Sequence, residues 1–145
     1  MRVLLTGSTG WLGRHLAPLA EARGHQVIGL DVVAGPHTQV VGSVADAELV
    51  ERVFDEHDVE AVIHGGALHK PDIVRYPKSS FVDVNVRGTL HLLEAAVRAG
   101  HDRFVFTSTT SPSQGAKSSD AAFTDSISPK ASPALVSSPT SGNSM

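Results

Sequence analysis

The segment Thr6-Gly7-Ser8-Thr9-Gly10-Trp11-Leu12-Gly13 lies between a short apolar run at residues 2–6 and the amphipathic stretch that follows. Glycines at this spacing, between a strand and a helix, suit the binding of phosphate. Gly7 can take the tight turn after the strand, Gly10 lets the backbone approach a pyrophosphate with no Cβ in the way, and Gly13 lets the helix pack closely on the strand. The start of that helix offers unpaired N–H groups to the phosphates, so the run that includes Ser8, Thr9, Trp11 and Leu12 is expected beside a dinucleotide. Asp31 stands about 20 residues beyond the turn, at the end of the next apolar run, where a carboxylate can hold the adenosine ribose hydroxyls. That carboxylate would repel a 2′-phosphate, and Val32 and Val33 supply no neighbouring arginine to attract one, so NAD is expected in preference to NADP. The competing reading is a purely structural turn followed by a strand that happens to end in an acid.

These residues can meet only if the chain alternates strand and helix. A strand is expected at residues 2–6, then a helix at 11–23 with Leu12, Leu16, Leu19 and Ala20 on one face and Gly24 as its C-terminal stop. Further strands are expected at 26–30, at 38–41 and at 61–64, and an acidic helix at 46–54 turns Leu49, Val50 and Val53 to the sheet. Residues 65–80 read as a loop. A strong helix follows from Phe81 or Asn85 to Ala99, with Val86, Leu90, Leu93 and Val97 at helical spacing, and residues 103–107 form a near-continuous apolar strand. The alternation predicts an α/β fold, a Rossmann-type doubly wound parallel sheet that is incomplete at about five strands.

Composition narrows the function. Of 145 residues none is cysteine, which removes disulfides, thiolate metal sites and thiol nucleophiles and makes the reducing cytosol the expected compartment. A net charge of -3 gives no support to a nucleic-acid or anionic-membrane surface. No stretch approaches the roughly 20 apolar residues of a membrane span, and residues 1–5 are too short an apolar run for a signal peptide. A soluble, cytoplasmic chain is therefore expected, and nothing in the pattern specifies an oligomeric state. Residues 1–111 read as globular, whereas 112–145 are rich in Ser, Pro, Ala, Gly and Thr, with Pro112, Pro129, Pro133 and Pro139 interrupting any regular element. That low-complexity tail is expected to be either disordered or a non-native peptide such as a frameshift would append.

The Gly-x-x-Gly-x-x-Gly spacing resembles the short-chain dehydrogenase/reductase superfamily, and three more segments resemble its extended members, the NAD-dependent epimerase/dehydratase group acting on nucleotide sugars. Val62-Ile63-His64-Gly65-Gly66-Ala67 is similar to the His-x-Ala-Ala element after the fourth strand. Asn85-Val86-Arg87-Gly88-Thr89 and Leu92-Leu93-Glu94-Ala95 resemble the group's Asn-Val-x-Gly-Thr helix. Phe104-Val105-Phe106-Thr107-Ser108-Thr109 resembles its fifth strand and active-site turn. The resemblance implies that Gly7, Gly10 and Gly13 line the pyrophosphate, Asp31 holds the ribose, Ser43 and Val44 sit near the adenine, and Gly66 and Ala67 lie along the cofactor. It also implies that Asn85 supports the active-site helix and that Thr109, or Ser108 if the alignment slips by one, hydrogen-bonds the substrate.

Plainer readings stand beside these. Asn85 could simply cap a helix, residues 107–111 could be a polar strand end, and Trp11 and Leu12 could be packing residues. His64 and His69 have no third ligand at metal spacing, so no metal site is expected. In the group the chemistry belongs to a Tyr-x-x-x-Lys pair, whose lysine lowers the pKa of the phenol. The single tyrosine here, Tyr76, is followed at that spacing by Ser80, Lys78 is wrongly placed, and the position precedes the fifth strand, so Tyr76 reads as a loop residue. The expectation is the NAD-binding part of a nucleotide-sugar epimerase/dehydratase-like oxidoreductase, catalytically incompetent as it stands. The alternatives are a non-catalytic NAD-binding sensor or structural module, and a non-functional gene fragment.

Overall fold

Side chains that alternate along each strand divide between two helical layers. The computed structural model describes residues 1–108; Thr109 and the tail predicted over 112–145 lie outside the described residues. Five parallel strands, β1 (Arg2–Thr6), β2 (Gln26–Asp31), β3 (Val40–Val41), β4 (Ala61–His64) and β5 (Phe104–Phe106), lie in the order β3-β2-β1-β4-β5. Leu4 of β1 stands in register with Ile28 of β2 and Val62 of β4. With Leu30 they form one core face, closed by Val50, Val53 and Phe54 of α2 (Ala47–His57) and by Leu92, Ala95 and Ala96 of α4 (Gly88–Arg98). Leu5, Val27 and Ile63 point the other way, onto Leu16, Ala17 and Ala20 of α1 (Trp11–Ala22). Period-two patterning on a sheet covered on both sides is what makes these strands nearly all apolar.

The predicted α/β sheet is therefore present, with helices on both faces. Strand order reverses between β1 and β4, and in open α/β sheets a ligand crevice forms outside the carboxyl ends of the strands at that reversal. Among the described residues, no helix is long and apolar enough to cross a membrane.

Of the helix faces expected from the sequence, Leu49, Val50 and Val53 of α2 do turn to the core, whereas the face of α1 needs correction in part and that of α4 in full. In α1 the buried positions are Gly13 and Ala17, with Leu16 and Ala20 partly buried, while Leu12 and Leu19 are exposed. In α4 the buried set is Gly88, Leu92, Ala95 and Ala96, and the stripe Val86, Leu90, Leu93 and Val97 faces outward. Close packing puts small residues at the contact, and a Cβ on Gly88 would stand 2.5 Å from Cγ2 of Val44, in the segment between β3 and α2. Following the largest apolar residues selects the outward face in α4, and in α1 it finds Leu16 and Ala20, which do pack on the sheet, together with Leu12 and Leu19, which do not.

Boundaries shift as well. The strand expected at 38–41 is only Val40–Val41, and β5 is an edge strand with Val105 and Phe106 exposed. The expected loop at 65–80 contains a 3₁₀ turn, Lys70–Val74, and the last helix starts at α3 (Lys78–Val82), directly after Pro77. It continues through a π-helical segment, Asp83–Arg87, into α4. In α2, Asp46 caps the first turn by accepting a hydrogen bond from the Leu49 N–H at 3.0 Å.

Candidate functional site

A cleft of about 460 Å³ opens at the carboxyl ends of β1, β2 and β4, within the range of small-molecule sites. Of the site residues named from the sequence, Gly7, Thr9, Gly10, Trp11, Leu12, Gly13, Asp31, Ser43, Val44, Gly66 and Ala67 all line it. Ser8 does not: its side chain is buried on the other side of the turn, with Oγ 2.7 Å from Thr38 Oγ1.

One wall is the glycine turn. Gly7 has φ +73°, and a Cβ there would come within 2.8 Å of the Gly66 backbone nitrogen. A Cβ on Gly13 would collide with the Gly7 carbonyl oxygen, so α1 rests on the turn with no space for a methyl group. A Cβ on Gly10 would meet only that same oxygen, at 3.2 Å, and its remaining surroundings are open. The first intrahelical bond runs from the Arg14 N–H to the Gly10 carbonyl at 3.1 Å. The N–H groups of Trp11, Leu12 and Gly13 precede it and have no acceptor among the described residues. Three free donors at a helix start, on a cleft, form an anion-binding arrangement. A dinucleotide pyrophosphate fits it.

Asp31 closes this wall at the end of β2. Its Oδ2 accepts from the Thr9 N–H at 3.0 Å and its Oδ1 from the Val33 N–H at 3.1 Å. An ionised carboxylate has about four acceptor sites, so each oxygen keeps capacity for a hydroxyl in the cleft. Val32 and Val33 are exposed beside it. Ser43 Oγ accepts from the Ala45 N–H at 3.1 Å, which leaves its proton to donate, and Val44 is buried against the helical layer. Trp11 is 71% exposed at the lip and Leu12 is exposed too, so the packing reading of this pair fails.

The opposite wall is Gly65, Gly66 and Ala67, after β4. It is held by side chains. Asn85 lies within the π-helical segment, not at a helix start, so it is not an N-cap. Its Oδ1 accepts from the Leu68 N–H at 2.8 Å and its Nδ2 donates to the Leu68 carbonyl at 2.9 Å. Both amide groups are thus spent on fixing one backbone unit beside the cleft, and π segments of this kind commonly accompany functional sites. His64 is buried, with Nδ1 2.7 Å from Thr6 Oγ1 and Nε2 2.9 Å from Thr89 Oγ1. Burial pushes its imidazole down to about 4, so it is neutral at pH 7. Thr6 and Thr89 were given no role by sequence reasoning. The signal for Thr6 is a hydroxyl where an apolar strand residue would otherwise stand.

Thr107 donates from both N–H and Oγ1 to the His64 carbonyl, at 3.1 and 2.9 Å, which makes it part of the strand end. Ser108 is exposed, and Thr109 lies outside the described residues. Tyr76 is an exposed residue between the 3₁₀ turn and α3. Among the described residues no group of three or more His, Asp or Glu side chains could hold a metal ion.

Residues 3–132 match the family described as NAD dependent epimerase/dehydratase, a match that continues past Ser111. The UDP-glucose 4-epimerase of Rhizobium meliloti (strain 1021) is 32% identical over 114 residues, which span 74% of this chain and 35% of that protein. The crystal structure of the Thermotoga maritima UDP-glucose 4-epimerase with UDP-glucose is 29% identical, with a TM-score of 0.67 over 75% of this chain and 38% of that one. The Thermus thermophilus UDP-glucose 4-epimerase complex with NAD is 34% identical, with a TM-score of 0.65 and the same coverage of 75% and 38%. The chain spans about a third of the length of most of the curated relatives it matches.

Proposed function

The chain belongs to the NAD dependent epimerase/dehydratase family, and on that premise we propose that its described residues hold NAD without turning over a substrate themselves. The observation that carries this reading is the set of three unpartnered N–H groups on Trp11, Leu12 and Gly13, facing a cleft that ends at the Asp31 carboxylate. The N–H groups receive the pyrophosphate, Asp31 accepts from the adenosine ribose hydroxyls, and Ser43 and Val44 border the adenine. Gly66 and Ala67 lie along the rest of the cofactor. When bound, NAD supplies a reversible hydride acceptor.

A carboxylate at the ribose, with Val32 and Val33 beside it, favours NAD over NADP, because a 2′-phosphate would meet a like charge and no paired cation. For the whole protein the substrate class is a nucleotide sugar, supported by the relatives named UDP-glucose 4-epimerase. Within these 145 residues no Tyr-x-x-x-Lys pair is present to exchange the substrate proton.

Calorimetric titration of the 145-residue chain with NAD and with NADP tests the proposal. Saturable NAD binding, at least about tenfold tighter than NADP, is expected, which corresponds to about 1.4 kcal/mol of discrimination. Neither NADH nor an epimerised sugar should form from UDP-glucose. Absence of NAD binding overturns the cofactor assignment, and NADH formation or sugar epimerisation overturns the predicted inactivity.

A further inference from the structure

The polar side chains behind the far wall join into a single chain whose proton positions can be worked out. Thr89 Oγ1 donates its one proton to the Asn85 carbonyl at 2.8 Å, so toward His64 Nε2, 2.9 Å away, it can only accept. Nε2 therefore carries a proton. The ring is neutral, which leaves Nδ1 bare, and Thr6 Oγ1 must donate to it across 2.7 Å. With its proton given away, Thr6 Oγ1 accepts from the Gly66 N–H at 3.0 Å. Donors and acceptors follow one direction from Gly66 through Thr6, His64 and Thr89 to the Asn85 backbone, and the Asn85 side chain grips both polar groups of Leu68.

The other protonation states break this chain. With the proton on Nδ1 alone, the bare Nε2 would face a Thr89 oxygen whose proton is already used. With both nitrogens protonated, Thr6 Oγ1 would receive two N–H donors and its own proton would lose its acceptor. Such a loss is costly at a site where Thr6 is 0% and His64 2% exposed. The ring edges around His64 are aromatic, with Phe104 at 6.3 Å and Phe106 at 5.6 Å between centroids, and among the described residues no carboxylate or cation is hydrogen-bonded to it.

We propose that His64 is a positioning residue of the dinucleotide cleft: as the Nε2–H tautomer between Thr6 and Thr89, it transmits the placement of the helix to the Gly66 N–H. The Gly66 N–H is thereby turned inward and consumed, so Gly66 presents its backbone surface, not a donor, to the cofactor. Thr6 ends β1, next to Gly7, so the same hydroxyl sits between the two walls. The cofactor part of this inference rests on the NAD-binding reading above; the tautomer and the coupling do not.

The test uses the 145-residue chain with ¹⁵N-labelled histidine and backbone. Ring ¹H–¹⁵N correlations should show His64 with a protonated Nε2 and a bare Nδ1, unchanged between pH 7.5 and about pH 5.5, well above the value to which burial holds it. A proton on Nδ1, or a ring protonated on both nitrogens in that range, overturns the proposal. Thr89→Val keeps the shape of the side chain and removes the hydroxyl. It should speed hydrogen exchange at the Gly66 amide by about tenfold, although Gly66 bonds Thr6 and not Thr89, and Thr89→Ser should restore it. Gly66 exchange that ignores Thr89→Val overturns the coupling. NAD affinity of Thr89→Val should fall in parallel, and unchanged affinity overturns the positioning role. If the parent chain binds no NAD, the cofactor reading has failed, while the tautomer and exchange results still decide the rest.

Discussion

From Gly7 to Gly13 the cleft wall is made where backbone meets backbone, whereas from Gly65 to Leu68 it is made where side chains reach across from β1 and the last helix. The first wall needs atoms to be absent: a methyl group at Gly13 would collide with the Gly7 carbonyl. The second needs atoms to be present, since Thr6, His64, Thr89 and Asn85 each satisfy a partner. A wall built by close approach tolerates no added volume, and a wall built by hydrogen bonds tolerates no unpaired group.

Adding volume to the first wall should have the largest effect. Gly13→Ala improves helix propensity by about 1 kcal/mol, but the new Cβ meets backbone that cannot move aside. The net change should be a loss of about 3 kcal/mol or more, read by urea denaturation. A variant as stable as the parent would remove the basis for calling this wall backbone-built.

Acid should act on the second wall. His64 has an ordinary value of 6.5 and is lowered to about 4 by burial. Above pH 6.5 it is neutral in both folded and unfolded chains, and its contribution to stability is intact. As the pH falls from 6.5 toward 4 the unfolded chain takes up a proton that the folded chain refuses, so stability drops, by on the order of 3 kcal/mol over that window. Below about 4 both states are protonated and this contribution stops changing. Denaturation midpoints followed from about pH 7.5 to about 4 should fall, and His64→Phe should flatten the fall.

Asn85→Ala removes the grip on Leu68 and leaves one backbone N–H and one C=O to find water. A cost of about 2 kcal/mol is expected, with faster exchange at Leu68 and little change at Gly10. The smallest effect belongs to Asp31→Asn. It keeps an acceptor for the Thr9 or Val33 N–H while removing the charge, so stability should hardly move. NAD should bind about tenfold more weakly, and the preference over NADP should shrink, by about 1.4 kcal/mol.

The same contrast explains what could be seen in advance. The glycine turn and Asp31 were legible because their roles come from residue type at fixed spacing within one βαβ unit, and the five strands from apolar runs between turns. Ser8 was placed on the cleft because it stands inside the motif, yet the turn directs its side chain to Thr38. The second wall was legible only as a family-like string. Its partners come from β1, β4 and the last helix, separations over which no periodicity operates, and the π-helical segment that brings Asn85 to Leu68 has no sequence period of its own. The faces of α1 and α4 were misread because close contacts with the glycine turn, with Val44 and with the core bury the small residues Gly13, Ala17, Gly88 and Ala95, alongside Leu92, while Leu12, Leu19, Leu90, Leu93 and Val97 stay exposed.

The central claim is that the two walls hold one dinucleotide between them. Backbone ¹H–¹⁵N spectra of the 145-residue chain titrated with NAD test it most directly. Amides of Trp11, Leu12 and Gly13 and amides of Gly66 and Ala67 should shift together, with a single dissociation constant. Shifts confined to one wall, or no shifts at saturating NAD, would contradict it.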